Sequence, residues 1–321
     1  MNVPLFVATS QLLHIPDGFL NVVISSAGWV ISIAVLYVAI RRSQTHFEER
    51  LVPLAGIMAA FIFAGQMINF PVAFGTSGHL IGATLAAIVL GPWLGILVMT
   101  AVIVLQALLF QDGGLVVMGA NILVMAVVPA LVGYGLYRSV AGRSQRVSLA
   151  VSGVAAWFSV MAAALVTALL LGFSGTISFR LVVPAMLGVH ALIGIGEALI
   201  TVAALTFLFR SRPVLLQESS RQGGRGWAIG GVLVTLLVVF ISPLASSFPD
   251  GLEWVAQEHG FIQRAQDAPY NILPDYTIPV LGEGALSTIV AGLLGALVVA
   301  ALVLAITRLL RRREPGKAGS H

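Results

Sequence analysis

The sequence predicts an all-α integral membrane protein, a polytopic helical bundle of about nine transmembrane helices arranged as seven followed by two. Three observations predict it. Hydrophobic residues make up 58% of the chain and charged residues only 9%, whereas a soluble domain carries about a quarter charged residues. The apolar runs approach or exceed the roughly 20 residues that cross a bilayer, and they are continuous aliphatic stretches, not the period-two alternation of a membrane barrel. The basic residues cluster between the runs, where they act as orientation signals in a lipid bilayer. With no basic-aromatic patch, they do not mark a nucleic-acid partner.

In chain order the runs lie at about 18–40, 51–74, 79–110, 118–137, 148–172, 184–209, 227–247 and 286–307. The third, at roughly 32 residues, would make ~48 Å of helix, too long for one crossing, and Gly91-Pro92 divides it. If that run crosses twice and the N-terminus lies outside, all but Arg180 and Arg264 of the 17 basic residues are cytoplasmic, as the positive-inside bias requires. A single crossing would move every later loop to the other side. The C-terminus is then cytoplasmic, and the short piece 79–90 is expected to be tilted or broken and shielded from lipid by its neighbours.

Composition divides the chain into a seven-helix unit (1–213), a polar, glycine-rich cytoplasmic linker (214–226) and a two-helix unit (227–321). The external loop of the second unit, 248–285, carries Asp250, Glu253, Glu258, Asp267, Asp275 and Glu283 against Arg264 alone. Such a loop either draws in cations or is simply a solvated loop obeying the charge bias.

The residues with chemistry in them are few. Without cysteine, a metal would meet only nitrogen or oxygen donors. His14 and His79 both fall on the outer side, and each sits in tight-turn chemistry, Pro16-Asp17-Gly18 after the first and Gly75-Thr76-Ser77-Gly78 before the second. Proline presets φ and glycine permits φ > 0, so such turns wrap backbone around a small guest. Two readings fit, a metal-binding pair or histidines in structural turns. His190 and Glu197 are seven apart on one helix and share a face, ~10.5 Å apart. A carboxylate near mid-membrane is a functional candidate by default, and its plain alternative is an interhelical hydrogen bond to Asn121, Gln66, Asn69 or Gln106. Gly75-Thr-Ser-Gly78 with His190 also outlines an intramembrane serine hydrolase using Ser77. Against that, the tetrapeptide lies in a loop and not at a helix start. Glu197 alternatively suits a gradient-driven permease. No Gly-x-x-x-x-Gly-Lys-Ser/Thr run occurs, so the chain has no P-loop of its own for ATP.

His14-Ile-Pro-Asp-Gly-Phe-Leu20, Asn69-Phe-Pro-Val-Ala73, Gly75-Thr-Ser-Gly-His-Leu-Ile-Gly82, Leu90-Gly-Pro-Trp93, Gln106-Ala-Leu-Leu-Phe-Gln-Asp-Gly-Gly114, Gly119-Ala-Asn121 and His190-Ala-Leu-Ile-Gly-Ile-Gly-Glu197 together resemble the CbiM/NikM family. These are substrate-specific membrane components of energy-coupling-factor transporters for cobalt and nickel. Pro249-Asp-Gly-Leu-Glu-Trp254 and Pro274-Asp-Tyr276 are similar to the two-helix PDGLE (NikN-type) subunit, here fused. The resemblance implies a multi-pass protein of a prokaryotic plasma membrane that is not itself an enzyme and holds no permanent cofactor. It implies Co²⁺ or Ni²⁺ as substrate, with a transmembrane coupling protein and a cytoplasmic ATPase pair as partners. Asp17, Ser77, Asn121, His190 and Glu197 become supporting or pathway candidates.

The resemblance further implies that the ion is held by a terminal amine at residue 13, the amide and imidazole of His14, and the imidazole of His79. Fused chelate rings and four nitrogens suit Ni²⁺ or Co²⁺, and affinity falls with pH because an amide must lose its proton. Here residue 13 is Leu13 and Met1 lies twelve residues upstream, so as written no free amine stands there. Residues 1–12 lack the basic region and small-x-small site of a cleavable leader. The expectation is a non-ATG start codon at Leu13, read as methionine.

Overall fold

The computed structural model describes residues 14–45, 48–73, 75–211 and 226–311. Leu13 and nearly all of the expected linker lie outside them. Among the described residues, seven helical stretches are long and apolar enough to cross a membrane: Val22–Thr45, Pro92–Phe110, Met118–Arg138, Gln145–Phe173, Phe179–Arg210, Trp227–Leu244 and Ala285–Leu310. Two shorter pieces, Leu51–Gln66 and Ala83–Leu90, join them. The protein is a polytopic helical membrane protein. Its helices are α1 (Val22–Thr45), α2 (Leu51–Gln66), α3 (Ala83–Leu90), α4 (Pro92–Leu105), α5 (Met118–Ile122), α6 (Val128–Arg138), α7 (Gln145–Phe173), α8 (Phe179–Ser211), α9 (Gly226–Ile241), α10 (Gly251–Glu258) and α11 (Ala285–Leu310).

The long apolar run 79–110 is broken where proline and glycine predict it. α3 is only eight residues, ~12 Å of helix, and is buried along almost its whole length. Gly91 (φ 81) turns the chain and Pro92 opens α4, because proline needs no N–H partner in a first turn. The two helices fold back against each other: a Cβ on Gly95 would lie 2.9 Å from the Cα and N of Ala87. The turn at Gly91 lines a basic-rimmed cavity with Arg42 and Arg138. The far end of α4 reaches the opposite pole, where the Leu273 N–H donates to the Leu109 carbonyl at 3.0 Å. The run therefore goes to the basic pole and returns.

Small residues let the other helices meet backbone to backbone, as in membrane bundles generally. α1 crosses α5 with Gly28 against Ala120 and Gly119 against Trp29, and Ser32 Oγ donates to the Gly119 carbonyl at 2.7 Å. The second unit packs mainly on α2: Gly231 of α9 meets Ile57, Leu304 of α11 meets Gly56, and Gly295 of α11 receives Phe63 and Phe110.

The apolar run 51–74 yields a helix only to Gln66. Beyond it the chain forms a two-residue antiparallel ribbon, Phe70–Pro71 with Ser77–Gly78. The ribbon, the segment 14–21, the connection 111–117 and the second unit's loop gather at the pole opposite Arg42 and Arg138. Thr176 Oγ1 caps the Phe19 carbonyl, and Asp17 and Gln266 form an isolated antiparallel bridge.

Replacing Gly95 by valine should wedge α3 from α4 and cost about 1–3 kcal/mol, read as a lower melting temperature in detergent. Gly135→Ala, where a Cβ meets nothing within 4 Å, should melt like the wild type.

Candidate metal centre

The segment 14–17 is extended, and its backbone is held by side chains and backbone of α5 and the connection before it. Asn121 grips Ile15 from both ends, its Nδ2 donating to the Ile15 carbonyl at 2.9 Å and its Oδ1 accepting the Ile15 N–H at 3.0 Å. The Asp17 carboxylate accepts the N–H groups of Leu115, Val116 and Val117 at 2.9–3.1 Å, in the turn that leads into α5. Gly113 closes the arrangement. Its φ is +98°, and a Cβ there would lie 2.9 Å from the His14 Cβ and 3.0 Å from Asn121 Nδ2.

His14 is thereby buried, 2% exposed. Its Nδ1 faces Asp112, 2.9 Å from the carbonyl and 2.8 Å from the carboxylate. Its Nε2 is buried and has no hydrogen-bond partner among the described residues. Burial works against an imidazolium at His14, but the charge and hydrogen bonds of Asp112 outweigh it and hold its pKa above the ordinary histidine value. Asp112 is in turn fixed by the second unit: Tyr276 Oη donates to its Oδ2 at 2.6 Å and accepts from Gln106 Nε2 at 3.1 Å. Burial, then the Asp112 charge, raises the Tyr276 phenol well above its usual range. A π-helical turn at Gln106–Phe110 and a left-handed Gln111 (φ 61) end α4 and aim Asp112 inward. Such turns recur at functional positions.

His79 follows the Ser77–Gly78 strand in the segment leading into α3, and the amides just before that helix lie inside the bundle. Glu197 of α8 satisfies them, Oε2 accepting the Ile81 N–H at 2.7 Å and Oε1 the Gly82 N–H at 2.8 Å. Gln66 Nε2 donates to the Ile81 carbonyl at 2.9 Å. Glu197 thus caps a helix start with its carboxylate, the favourable sign there. The sequence pointed to Asn121, Gln66, Asn69 or Gln106 as its partner, but backbone amides hold both its oxygens. Sequence reading counts side-chain partners, and the orphan amides of a half-helix appear only once the helix is seen to start mid-bundle.

The two imidazoles meet edge to face, ring centroids 5.9 Å apart. His79 Nδ1 lies 3.0 Å from the Leu80 carbonyl, and its Nε2 is 3.8 Å from Asp250 Oδ2. Asp250 opens α10 as its N-cap, Oδ1 accepting the Glu253 N–H at 2.7 Å, and burial pushes its carboxyl up to about 8. Ser77 docks this part of the second unit. Its N–H donates to the Pro249 carbonyl at 2.8 Å and its hydroxyl to the Phe248 carbonyl at 2.8 Å. His190 completes the wall, with Nδ1 2.8 Å from the Met186 carbonyl. Gly251 packs against it, since a Cβ there would lie 2.9 Å from His190 Cε1.

His14, His79, His190 and Asp250 line one cavity of about 60 Å³, otherwise walled by Asn121, Thr167 and apolar residues. That is room for an ion with little else. Among the described residues no group of three or more His, Asp or Glu side chains forms a ready metal cage, and Leu13 is outside those residues. The structure brings His14, His79 and His190 together. Asp17, Ser77, Asn121 and Glu197 instead hold the backbone that carries them. Ser77 gives its hydroxyl to carbonyls and makes no hydrogen bond with His190, so the serine–histidine pair of a hydrolase is not formed. Asp112, Asp250 and Tyr276 were not singled out by sequence as site residues. Their signal was a lone acid ending an apolar run, and two Pro-Asp turns in the external loop.

The fold and site define a polytopic helical membrane protein with a buried, histidine-lined cavity assembled at one pole. The family described as cobalt uptake substrate-specific transmembrane region (CbiM) matches residues 14–215, and the PDGLE domain matches residues 225–312. The chain belongs to the CbiM family, in its form fused to a PDGLE domain. It is 36% identical over 305 residues to a protein of Archaeoglobus fulgidus named putative fused nickel transport protein NikMN, covering 93% of this chain and 99% of that one. The cobalt transport protein CbiM of Sorangium cellulosum is 31% identical, covering 64% of this chain and 95% of its own length. A crystal structure of a transition metal transporter, 33% identical, superposes with a TM-score of 0.57 and covers 66% of this chain and 100% of that one.

Removing the Glu197 carboxylate strands two buried N–H groups at about 1–3 kcal/mol each. Melting temperatures should fall in the order wild type, Glu197→Gln, Glu197→Ala, because glutamine keeps one acceptor oxygen.

Proposed function

We propose that this protein is the metal-capture membrane component of an ATP-driven uptake transporter for Co²⁺ or Ni²⁺. In this reading the first unit spans residues 1–213 and the PDGLE-type unit residues 227–321. The chain crosses nine times with its N-terminus outside, and the ion reaches the cavity from that side. The observation that carries the reading is the convergence of His14 and His79, 65 positions apart in sequence, to 5.9 Å between ring centroids. Imidazole nitrogen is a fitting donor for either ion. The amine and amide of residue 13 and His14 would complete a nitrogen set where the chain begins at residue 13. Relatives named for nickel or cobalt transport support the substrate class.

The chain offers no phosphate-binding loop of its own, so ATP hydrolysis falls to a cytoplasmic ATPase pair, joined to this protein by a transmembrane coupling partner. The basic pole, with Arg42 and Arg138 around the Gly91 turn and Arg311 paired with Glu49 at 2.7 Å, faces the cytoplasm in this arrangement.

Cells expressing the chain with such partners should accumulate labelled Co²⁺ or Ni²⁺, and His14→Ala or His79→Ala should reduce accumulation to background. Ser77→Ala should leave a reduced but measurable rate. Wild-type uptake by either histidine variant would overturn the reading.

A further inference from the structure

We infer that the two-helix unit contributes a ligand of its own to the transported ion: the Asp250 carboxylate coordinates it together with the His79 imidazole. The inference rests on the metal-capture reading above and names a donor beyond its nitrogen set.

The distance between the two groups is the first argument. Asp250 Oδ2 and His79 Nε2 are 3.8 Å apart, beyond the ~3.2 Å reach of a hydrogen bond. Two donors that each stand about 2.0–2.2 Å from one first-row ion are separated by up to ~4 Å, so an ion fits between these atoms without either residue moving far. The orientation of each group is the second. His79 turns Nδ1 to the Leu80 carbonyl, the type of contact that fixes a ligating histidine and presents its other nitrogen. Asp250 spends Oδ1 on the Glu253 N–H, which leaves Oδ2 toward the cavity. The docking bonds from Ser77 to Phe248 and Pro249 hold the two residues in register.

Charge supplies the third argument. Asp250 is 3% exposed, and no lysine or arginine lines the cavity it faces. A buried carboxylate is costly without a positive partner, and a divalent ion provides one. The same cavity contains His14 Nε2, buried and without a hydrogen-bond partner among the described residues. Exposed acids of the loop, such as Glu258 and Glu283, have no such placement.

The test uses full-length protein in detergent, titrated with Co²⁺ and with Ni²⁺ by calorimetry, with the ligand-field absorption of bound Co²⁺ recorded. Asp250→Asn keeps the capping oxygen for the Glu253 amide and removes the charge. It should weaken binding by about tenfold or more and shift the Co²⁺ bands, with a melting temperature close to wild type. Asp250→Glu should retain part of the affinity, and Glu258→Gln should change nothing. Wild-type affinity and spectrum in Asp250→Asn, alongside lost binding in His79→Ala, would overturn this inference while leaving the metal-capture reading in place. Full binding by His14→Ala and His79→Ala would instead overturn that reading. Should Asp250→Asn not fold, the Co²⁺ bands of Asp250→Glu decide: displaced bands support the coordination and unchanged bands refute it.

Discussion

A helix that begins in the middle of a bundle has amides that neither water nor a preceding turn can satisfy, and the rest of this structure follows from how that debt is met. Glu197 accepts the Ile81 and Gly82 N–H groups and Gln66 donates to the Ile81 carbonyl. Those three bonds fix the segment that enters α3, and His79 is two residues before Ile81 on that segment. Because Glu197 belongs to α8 and Gln66 ends α2, the position of one imidazole is written into the packing of helices far apart in sequence. Placing an acid at such depth is expensive. Here two backbone amides and the start of a helix offset the cost.

The second imidazole is held by a different set of bonds with the same logic. Asn121 and Asp17 replace water as partners for the backbone of residues 15 and 115–117, so the segment before α1 lies buried although it has no regular structure. The second unit then closes over both histidines: Tyr276 on Asp112 behind His14, and Asp250 beside His79. Neither of these groups belongs to the first unit. A chain lacking the second unit would keep the cradles of both imidazoles but lose the hydroxyl that fixes Asp112 and the acid that faces His79. The fusion of the two units in one chain therefore has a physical meaning at the site, since it keeps the closing loop at high local concentration.

Much of this was legible in the sequence, and for identifiable reasons. Apolar run lengths and the arginine clusters gave the bundle, and Gly91-Pro92 gave the fold-back of the long run because proline and glycine act locally. The two turn-embedded histidines were recognisable because a polar knot stands out in an apolar chain. What the sequence did not give was set by distant parts of the chain. Nothing around Glu197 announces that its partners are backbone amides more than a hundred positions earlier. The run 51–74 reads as continuous helix until the ribbon at Phe70–Pro71 and Ser77–Gly78 shows that the chain leaves it after Gln66. The pairing of Gly28 and Ser32 with Ala120 and Gly119 is decided by shape. Asp250 read as one acid among six in a solvated loop, yet it is buried while Glu258, Asp267, Asp275 and Glu283 are exposed.

The cavity is assembled from parts of the chain that lie far apart in sequence. Its four polar walls come from the segment before α1, the segment before α3, the middle of α8 and the loop before α10, and no single helix carries two of them. The walls are joined by hydrogen bonds, such as those from Ser77 to Phe248 and Pro249, and by one apolar core that takes in Ile15, Ile193 and Leu252. Individual bonds of this kind contribute about 0.5–1.5 kcal/mol each, and the buried apolar contacts add to them. On the metal-capture proposal, an ion in the cavity would draw its donors from several elements at once. Displacing the second unit's loop would then withdraw Asp250 alone. The helices themselves need not melt.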